Sequence, residues 1–344
     1  MSVLWFVVII GVSISVHEFG HYLAARLQGV AVPVFSIGFG PPLVRLRAGG
    51  TEWRLAAIPL GGFALIEGMG GEPDAEPRGY ARLGFWGKTA ILLGGILMNL
   101  LLAWGLMGYV FSTQGVPQPD VRQAVILEVL PGSLAERVGL RPGDRVVAID
   151  GRPLRRYTDL AGIKKRPGRH RLTVVRGHER VVLELDWRPE ERQIGVRYGP
   201  RIVYRRLPFP SAFAYAVGFS VRLLPLMVKS FVAGIVGVLV GRPPADLVGP
   251  VGIVALTGQA ARQGAVALAQ LTATINLSLA VFNLLPIPGL DGGRLLLLVL
   301  GRVFGGRLTP EREALINLIG LAFVFLLLIL VTFQDLARLL GGGP

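Results

Sequence analysis

The chain contains one short segment whose residues are suited to metal-dependent hydrolysis. It reads His-Glu-Phe-Gly-His, with His17 and His21 four positions apart and Glu18 beside the first. On a helix, residues at this spacing lie about 40° apart around the axis, so both imidazoles can bind one metal ion. Zinc held by two imidazoles and a third ligand keeps a position for water and makes that water more acidic, while a nearby carboxylate can take its proton. We therefore predict a Zn²⁺ site with His17 and His21 as ligands and Glu18 as base.

The position of this segment in the chain argues against a chance match. It follows the apolar run 3–16, which places it at membrane depth if the run forms a transmembrane helix. An acidic or basic residue near the middle of such a helix costs about 2.5–3.5 kcal/mol. An accidental pattern, or two histidines that are merely hydrogen-bonded, would bear this cost without a function. The functional interpretation is therefore favoured.

Zinc requires a third protein ligand, and Asp291 is the candidate within a membrane segment. Cysteine is absent, so the ligand must be His, Asp or Glu. His170 and His178 belong to a separate domain and are expected to be exposed. Asp291 follows an apolar run that is interrupted by Pro286 and Pro288. Irregular backbone at membrane depth is tolerated where it lines protein or a water-filled cavity, which suits a ligand position.

The composition predicts a membrane protein. Of 344 residues, 52% are hydrophobic and 17% charged, against about 25% charged in soluble domains. Four runs reach the roughly 20 residues that a spanning helix needs, namely 3–27, 85–111, 265–285 and 315–333. The first lacks a preceding basic residue and an obvious cleavage site, so we interpret it as a retained helix rather than a signal peptide.

The distribution of positive charge predicts the orientation. Arg45, Arg47 and Arg54 lie between the first two runs, and Arg302 and Arg312 precede the last. The positive-inside rule assigns both loops to the cytoplasm and therefore the large central region to the outer face. The net charge of +14 is spread over loops without an aromatic-interleaved stripe, which favours anionic lipid over nucleic acid as a partner.

Two further elements interrupt the apolar runs. Alternating apolar and charged residues around Gly49-Gly50 predict a membrane-associated β-hairpin at about 43–67, which either covers a loop or offers an edge to an extended substrate. In the central region, strand-like stretches at 125–130, 146–149, 172–175 and 181–185 predict a small α/β domain. Its segment 131–151 resembles the core of a bacterial PDZ domain, which commonly binds peptide termini by strand addition.

The two motifs together, His-Glu-Phe-Gly-His and Asn-x-x-Pro-x-Pro-x-Leu-Asp-Gly at 283–292, resemble those of the site-2 protease family of intramembrane metalloproteases. Specifically, they resemble those of the bacterial branch that carries an inserted PDZ domain and processes anti-sigma factors. The resemblance implies that His17, His21 and Asp291 bind zinc, that Glu18 activates water, and that Asn283 holds the substrate strand or polarises its carbonyl.

Weaker similarities extend along the chain. The segment Leu-Gly-Gly-Phe at 60–63 resembles the membrane-reentrant β-element of the family, which implies that Gly62 and Phe63 contact substrate. Gly94, Gly95 and Asn99 resemble a further feature of the second span in this family. For Asn99, a hydrogen bond between packed helices is at least as well founded as a contact with the substrate. The sequence contains one PDZ-like unit where the best-known relatives have two in tandem.

The expected fold is a polytopic α-helical membrane protein with four transmembrane helices, a membrane-associated β-hairpin and an inserted α/β PDZ-like domain. We expect a first membrane half at 1–113, the PDZ-like domain at 114–200, a linker with an amphipathic, interfacial helix at 201–260, and a second membrane half at 261–344. Such a chain would lie in the bacterial inner membrane, with the PDZ-like domain outside and the active site towards the cytoplasm.

The expected function is that of a zinc metalloendopeptidase in regulated intramembrane proteolysis. Its substrates would be single-span membrane proteins, such as anti-sigma factors or remnant signal peptides, and a cleaved substrate terminus could bind the PDZ-like domain. Two alternatives remain from other classes. A transporter would also place ionisable residues and broken helices at membrane depth, but it has no need of Glu18 between two ligands. A silent PDZ scaffold would leave the zinc-binding pattern unexplained.

Overall fold

The computed structural model describes residues 1–69, 79–188, 193–242, 248–305 and 309–340. The chain divides into two compact units, one formed by Met1–Thr113 with Pro208–Pro344 and the other by Gln114–Leu207. The second unit includes the range 114–200 predicted for the PDZ-like domain, and the predicted linker 201–260 is divided between the two units. Parts of the four predicted regions lie outside the described residues, namely 70–78, 189–192, 243–247, 306–308 and 341–344.

The first unit is built from helices and one β-hairpin. Its helices in the described residues are α1 (Ser2–Leu27), α2 (Phe85–Thr113), α4 (Phe209–Leu239), α5 (Pro250–Gln263), α6 (Ala265–Leu284), α7 (Asp291–Val303) and α8 (Pro310–Leu339), and a 3-10 helix covers Tyr80–Arg82. The hairpin consists of β1 (Val34–Ala48) and β2 (Thr51–Leu65).

Five helices of the described chain are long and apolar enough to cross a membrane. Four of them, α1, α2, α6 and α8, correspond to the predicted spans, and the fifth is α4, for which an interfacial position was expected. The ring of Phe213 in α4 contacts Trp104 of α2, and that of Phe231 contacts Phe282 of α6. Since α4 packs along two of the candidate spans, its contacts do not favour an interfacial position, and the number of four spans stays a prediction.

A buried aspartate connects the last helix to the short helix α5. Asp335 of α8 is 5% exposed and accepts hydrogen bonds from the backbone N–H groups of Gly249 and Gly252, at 3.2 and 2.8 Å. These N–H groups lie at the N-terminus of α5, where a helix lacks internal acceptors. The carboxylate therefore caps α5 from another helix and fixes its start against α8.

The β-hairpin turns where the sequence predicts, but it is longer and folds back on itself. Ala48 pairs with Thr51 across Gly49-Gly50, both of which have positive φ. The first residues of β1, at 34–37, pair with 52–55 on one side and with 62–65 on the other. The end of β2 thus becomes an additional edge segment beside the start of β1. The predicted limits of 43–67 omitted the first nine residues of β1.

The second unit is an antiparallel sheet with its own core. Its strands are β3 (Val116–Val129), β4 (Arg145–Ile149), β5 (Arg152–Pro153), β6 (Gly168–Arg176), β7 (Glu179–Trp187) and β8 (Val196–Arg205), with α3 (Leu134–Arg137) and a 3-10 helix at Tyr157–Lys165. The order is β7-β6-β4-β3-β8, and β5 pairs with β4. The four predicted strands overlap β3, β4, β6 and β7. Strand β8 was not predicted and lies partly in the range assigned to the linker.

The expectation that His170 is exposed is wrong. His170 is 7% exposed, its Nδ1 lies 2.8 Å from Oδ2 of Asp150, and its Nε2 lies 2.6 Å from the carbonyl oxygen of Arg166. Both neighbours are acceptors, so both ring nitrogens donate and the ring carries a positive charge. Burial lowers the pKa of His170, but the hydrogen bonds to Arg166 and Asp150 outweigh it and raise the pKa above the usual value.

This arrangement predicts that the second unit loses stability as the pH rises. Because the folded-state pKa of His170 is raised, its contribution is complete below the unfolded-state pKa of about 6.5 and disappears as the pH passes the folded-state value. Replacing His170 by Gln should remove this dependence. The test is hydrogen exchange of 114–207 in the full chain between pH 6 and 9, corrected for intrinsic exchange rates.

The matched control is His178→Gln, because His178 is exposed in the same unit. This variant should retain the pH dependence of the unmodified protein. If exchange in His170→Gln keeps the same pH profile as the unmodified chain, the charged state assigned to His170 is wrong.

Candidate metal centre

His17 and His21 lie on the same face of α1 with their rings close together. The two Nε2 atoms are 3.2 Å apart, and the side chains are 9% and 6% exposed. Asp291, the first residue of α7, brings its Oδ2 to 3.1 Å from Nε2 of His17 and 3.3 Å from Nε2 of His21. Helices α1 and α7 thus bring three potential ligand atoms together, although His21 and Asp291 are 270 positions apart in the chain.

The three side chains fit a zinc ion. Ligand atoms about 2.0–2.2 Å from a tetrahedral zinc are about 3.3–3.6 Å from each other, close to the separations seen here. Oδ2 of Asp291 is buried and has no hydrogen-bond partner of good geometry in the described residues. Buried carboxylates are paired with a positive charge or coordinate a metal, and a zinc ion at this point would serve Oδ2 and both imidazoles. Within the described part of the chain, His17, His21 and Asp291 are the cluster of side chains whose ligand atoms lie close enough together to hold one metal ion.

Three glycines allow α2 to approach α1 at the level of the histidines. A Cβ atom on Gly20 would overlap the backbone of Gly94 and Gly95, and one on Gly94 would come within 2.5 Å of the carbonyl oxygen of Gly20. A Cβ atom on Gly95 would lie 2.5 Å from Nε2 of His21 and 2.8 Å from Cε1 of His17. The imidazole rings therefore rest on the bare backbone of α2.

This close approach brings groups of α2 to the outer nitrogens of both rings. Nδ1 of His21 lies 2.8 Å from the carbonyl oxygen of Ile91, and Nδ1 of His17 lies 3.4 Å from the side-chain amide of Asn99. The Ile91 carbonyl can only accept, so it keeps the proton of His21 on Nδ1 and leaves Nε2 free to bind a metal.

Asp291 is positioned by the break between α6 and α7. Gly289 has φ of 88°, and its N–H donates to Oδ1 of Asn317 in α8 at 3.2 Å. Side chains at Gly292 and Gly293 would overlap backbone carbonyls of the break, and one at Gly320 would overlap Pro288. The chain can therefore return sharply and place Asp291 beside α1 only because these positions lack a Cβ atom.

Glu18 is held by the end of the hairpin. Its Oε2 accepts a hydrogen bond of 3.1 Å from the backbone N–H of Ala64 in β2. That N–H points away from β1, because the segment 62–65 pairs with β1 through its other edge. The hairpin thus contacts the predicted base directly.

A cavity of about 270 Å³ joins these groups. It is lined by five predicted site residues, His17, Glu18, His21, Asn283 and Asp291, together with Ala64, Ile66, Met69, Gly289, Leu290 and Arg294. Gly62 and Phe63 are not among the lining residues. A Cβ atom on Gly62 would lie 2.6 Å from the carbonyl oxygen of Ser36, and the ring of Phe63 stacks on Phe39. Contacts within the hairpin therefore explain why glycine occupies position 62 and phenylalanine position 63.

Arg294 is the charged residue of the cavity that sequence reasoning missed. It follows Asp291 by three positions on α7, which places both side chains on the same face of the helix. Its guanidinium forms no ion pair or hydrogen bond with the described residues. The spacing from Asp291 was the signal that could have identified it.

Comparison with known proteins relates the whole chain to zinc metalloproteases. The sequence profile described as peptidase family M50 matches residues 5–327. The zinc metalloprotease RasP of Bacillus licheniformis is 25% identical over 98% of this chain and 99% of its own length. A Rhizobium meliloti protein named "Putative zinc metalloprotease" is 30% identical over 98% of this chain and 96% of its own length.

A plant protein shows a similar relationship. The Arabidopsis thaliana protein named "Probable membrane metalloprotease ARASP2, chloroplastic" is 32% identical over 95% of this chain and 78% of its own length. The similarity therefore covers both the helical unit and the inserted unit.

The glycine contact between α1 and α2 predicts a specific loss of zinc. Replacing Gly95 by Ala would insert a methyl group against both imidazoles and displace them, so zinc should dissociate at least about 10-fold faster, as when a metal ligand loses its support. The measurement is zinc transfer from the purified protein to a chromophoric chelator.

Gly105→Ala provides the matched control. Gly105 lies on the same helix with no atom within 4 Å of an added Cβ, so alanine there should leave zinc binding unchanged. Equal zinc loss in both variants would mean that the effect comes from α2 as a whole and not from contact with the ligands.

Proposed function

Because the chain belongs to peptidase family M50, the site-2 protease family, we propose that this zinc metalloprotease cuts peptide bonds within the transmembrane segments of single-span proteins. The observation that carries the proposal is the meeting of His17, His21 and Asp291 beside helices long and apolar enough to cross a membrane. A site on such helices meets its substrate inside the bilayer. The match to peptidase family M50 confirms the family expected from the two motifs. The PDZ-containing branch stays a prediction.

In this proposal His17, His21 and Asp291 hold the zinc ion and Glu18 is the general base. When bound by these residues, a zinc ion would provide the Lewis acid that acidifies water and polarises the scissile carbonyl. Glu18 takes a proton from the attacking water and returns it to the nitrogen of the leaving amine. The N–H of Ala64 fixes one carboxylate oxygen of Glu18, which limits the base to a small range of orientations.

Two further polar side chains of the cavity are available to the substrate. Asn283 lies before the helix break and Arg294 follows Asp291. An amide can donate to a carbonyl oxygen or accept from an N–H, as expected for a residue that holds the substrate strand. A guanidinium stabilises the negative charge that develops on the carbonyl oxygen during attack. We assign substrate positioning to Asn283 and charge stabilisation to Arg294.

The end of β2 is the proposed docking edge for the substrate backbone. A helix hides its amide bonds, so the substrate must unwind before hydrolysis. The segment 62–65 pairs with β1 on one side and turns its other edge towards Glu18. An extended substrate can add to that edge through main-chain hydrogen bonds. Gly62 and Phe63 then act by shaping this edge, since their side-chain positions are directed into the hairpin.

The proposed location is the bacterial inner membrane, with the site near the cytoplasmic face and the second unit outside. The support is the basic content of the loops around Arg45 and Arg302 and the positive-inside rule. The second unit would then meet the outer part of the substrate. As a PDZ-like domain it would bind a newly exposed terminus or exclude untrimmed proteins by size, which suits anti-sigma factors or remnant signal peptides as substrates.

The roles assigned to Glu18 and the ligands predict that metal binding and catalysis can be separated. Glu18→Gln removes the base but no ligand, so the purified variant should retain zinc and lose cleavage of a single-span substrate by at least about 100-fold. Asp291→Ala should instead lose zinc. The measurements are bound zinc by mass spectrometry and cleavage in detergent or liposomes. Cleavage by Glu18→Gln at the unmodified rate would contradict the mechanism.

The proposed outer role of the second unit predicts altered substrate choice when it is removed. Val116 pairs with Arg205, so the two ends of the unit are adjacent and a short Gly-Ser linker can replace Gln114–Leu207. The shortened enzyme should cut substrates with long outer domains that the full chain leaves intact. A trimmed substrate, cut equally by both enzymes, is the control. Unchanged discrimination between long and trimmed substrates would refute size exclusion.

A further inference from the structure

Asn99 of α2 is completely buried beside His17. It is 0% exposed, and its Nδ2 lies 3.4 Å from Nδ1 of the imidazole. The other amide atom, Oδ1, has no hydrogen-bond partner in the described part of the chain. A buried polar atom without a partner costs about 1–3 kcal/mol, so its presence at this position calls for a reason.

Asn276 of α6 is a buried amide that connects two helices by hydrogen bonds, and it serves as the comparison for Asn99. It is also 0% exposed and also contacts α1, where its Nδ2 donates to Oγ of Ser13 at 2.8 Å. The same nitrogen donates to the backbone carbonyl of Thr272. Its Oδ1, like that of Asn99, has no partner in the described residues, so the two amides differ in what their other atom contacts. Asn276 connects two helices without touching a predicted ligand, whereas the described partner of Asn99 is the ring of His17.

The chemistry of zinc binding decides which atom of Asn99 faces the ring. A neutral imidazole that binds a metal through Nε2 carries its proton on Nδ1, which is then a donor. A donor requires an acceptor, and the acceptor of the amide is Oδ1. Rotating the amide by 180° exchanges Oδ1 and Nδ2 at nearly identical positions, and either orientation leaves one of them without a partner. Only the rotated orientation is compatible with a metal on Nε2.

We propose that Asn99 is a positioning residue of the zinc site, which accepts a hydrogen bond from Nδ1–H of His17 and thereby holds Nε2 free for the metal. This inference rests on the proposed ligand role of His17. It complements the contact of Ile91, whose carbonyl oxygen lies 2.8 Å from Nδ1 of His21. The two acceptors are eight residues apart on α2, so one helix fixes the tautomers of both histidines across the glycine contact.

The zinc-dissociation rate tests this role without using activity. In Asn99→Leu the amide is replaced by an apolar group of similar size, so zinc should be lost to a chelator about 10–100-fold faster, the usual effect of removing a partner of a ligand. Asn99→Asp keeps an acceptor at Nδ1 and should retain zinc as the unmodified protein does. Asn276→Leu removes the comparison amide, which contacts α1 through Ser13, and should leave the dissociation rate unchanged.

A spectroscopic measurement reports on the tautomer itself. The chain has only four histidines, so selective ¹⁵N labelling of their rings gives a simple spectrum in which His17→Gln identifies the His17 signals. In the zinc-loaded protein, Nδ1–H of His17 should be protected from exchange with solvent and shifted by its hydrogen bond. Both features should disappear in Asn99→Leu and remain in Asn99→Asp.

The variants separate failure of this inference from failure of the proposed site. If His17→Ala retains zinc, the ligand set is wrong and the role of Asn99 falls with it. If His17→Ala loses zinc while Asn99→Leu holds it as tightly as the unmodified protein, the site stands and the role of Asn99 is refuted. Equal zinc loss in Asn99→Leu and Asn276→Leu would also refute it, because the effect would then be one of helix packing.

Discussion

The backbone contact between α1 and α2 at Gly20, Gly94 and Gly95 is the constraint on which the metal centre depends. In a membrane, helices are not driven together by the hydrophobic effect, so packing of small residues and hydrogen bonds between helices set their separation. Here the absence of Cβ atoms lets the imidazoles rest against α2 and reach Ile91 and Asn99. A larger separation would leave both rings free to rotate and their tautomers unspecified.

The same device recurs at the opposite side of the site. The turn between α6 and α7 is packed so closely that Gly292, Gly293 and Gly320 leave no room for side chains. Backbone groups that the broken helix cannot satisfy internally find partners such as Asn317. An acidic residue at membrane depth is costly unless it is compensated. The rigid turn directs the carboxylate of Asp291 to the one position where two imidazole nitrogens converge.

The two units of the chain are stabilised in different ways. The second unit has a core of its own, formed by buried residues of its strands such as Ile126, Val146, Leu172 and Leu185. The first unit exposes many apolar side chains on its long helices, as expected where lipid covers the surface, and it buries a smaller cluster where α1, α2 and the hairpin meet. That cluster includes Ala25, Ile91 and Ile66, the residue directly after β2, and Ala64 of β2 packs against it, so the hairpin is fixed to the two helices α1 and α2.

The sequence by itself predicted His17, His21 and Asp291 as candidate ligands, because the signals that indicate them are local. The spacing of His17 and His21 is one helical turn, and Asp291 follows a proline-rich break that only a cavity or packed protein could accommodate. The turn of the hairpin at Gly49-Gly50 and four strands of the second unit were also accessible from alternation and glycine.

The tertiary structure decided what depends on contacts between distant segments. The start of β1 and strand β8 were missed because each is specified by pairing with residues far along the chain. His170 can be buried because Asp150 and the carbonyl of Arg166 accept hydrogen bonds from both ring nitrogens. No spacing in the sequence predicts these two hydrogen bonds. The position of Asn99 beside His17 follows from the short distance between α1 and α2. That distance is possible because Gly20, Gly94 and Gly95 have no Cβ atom.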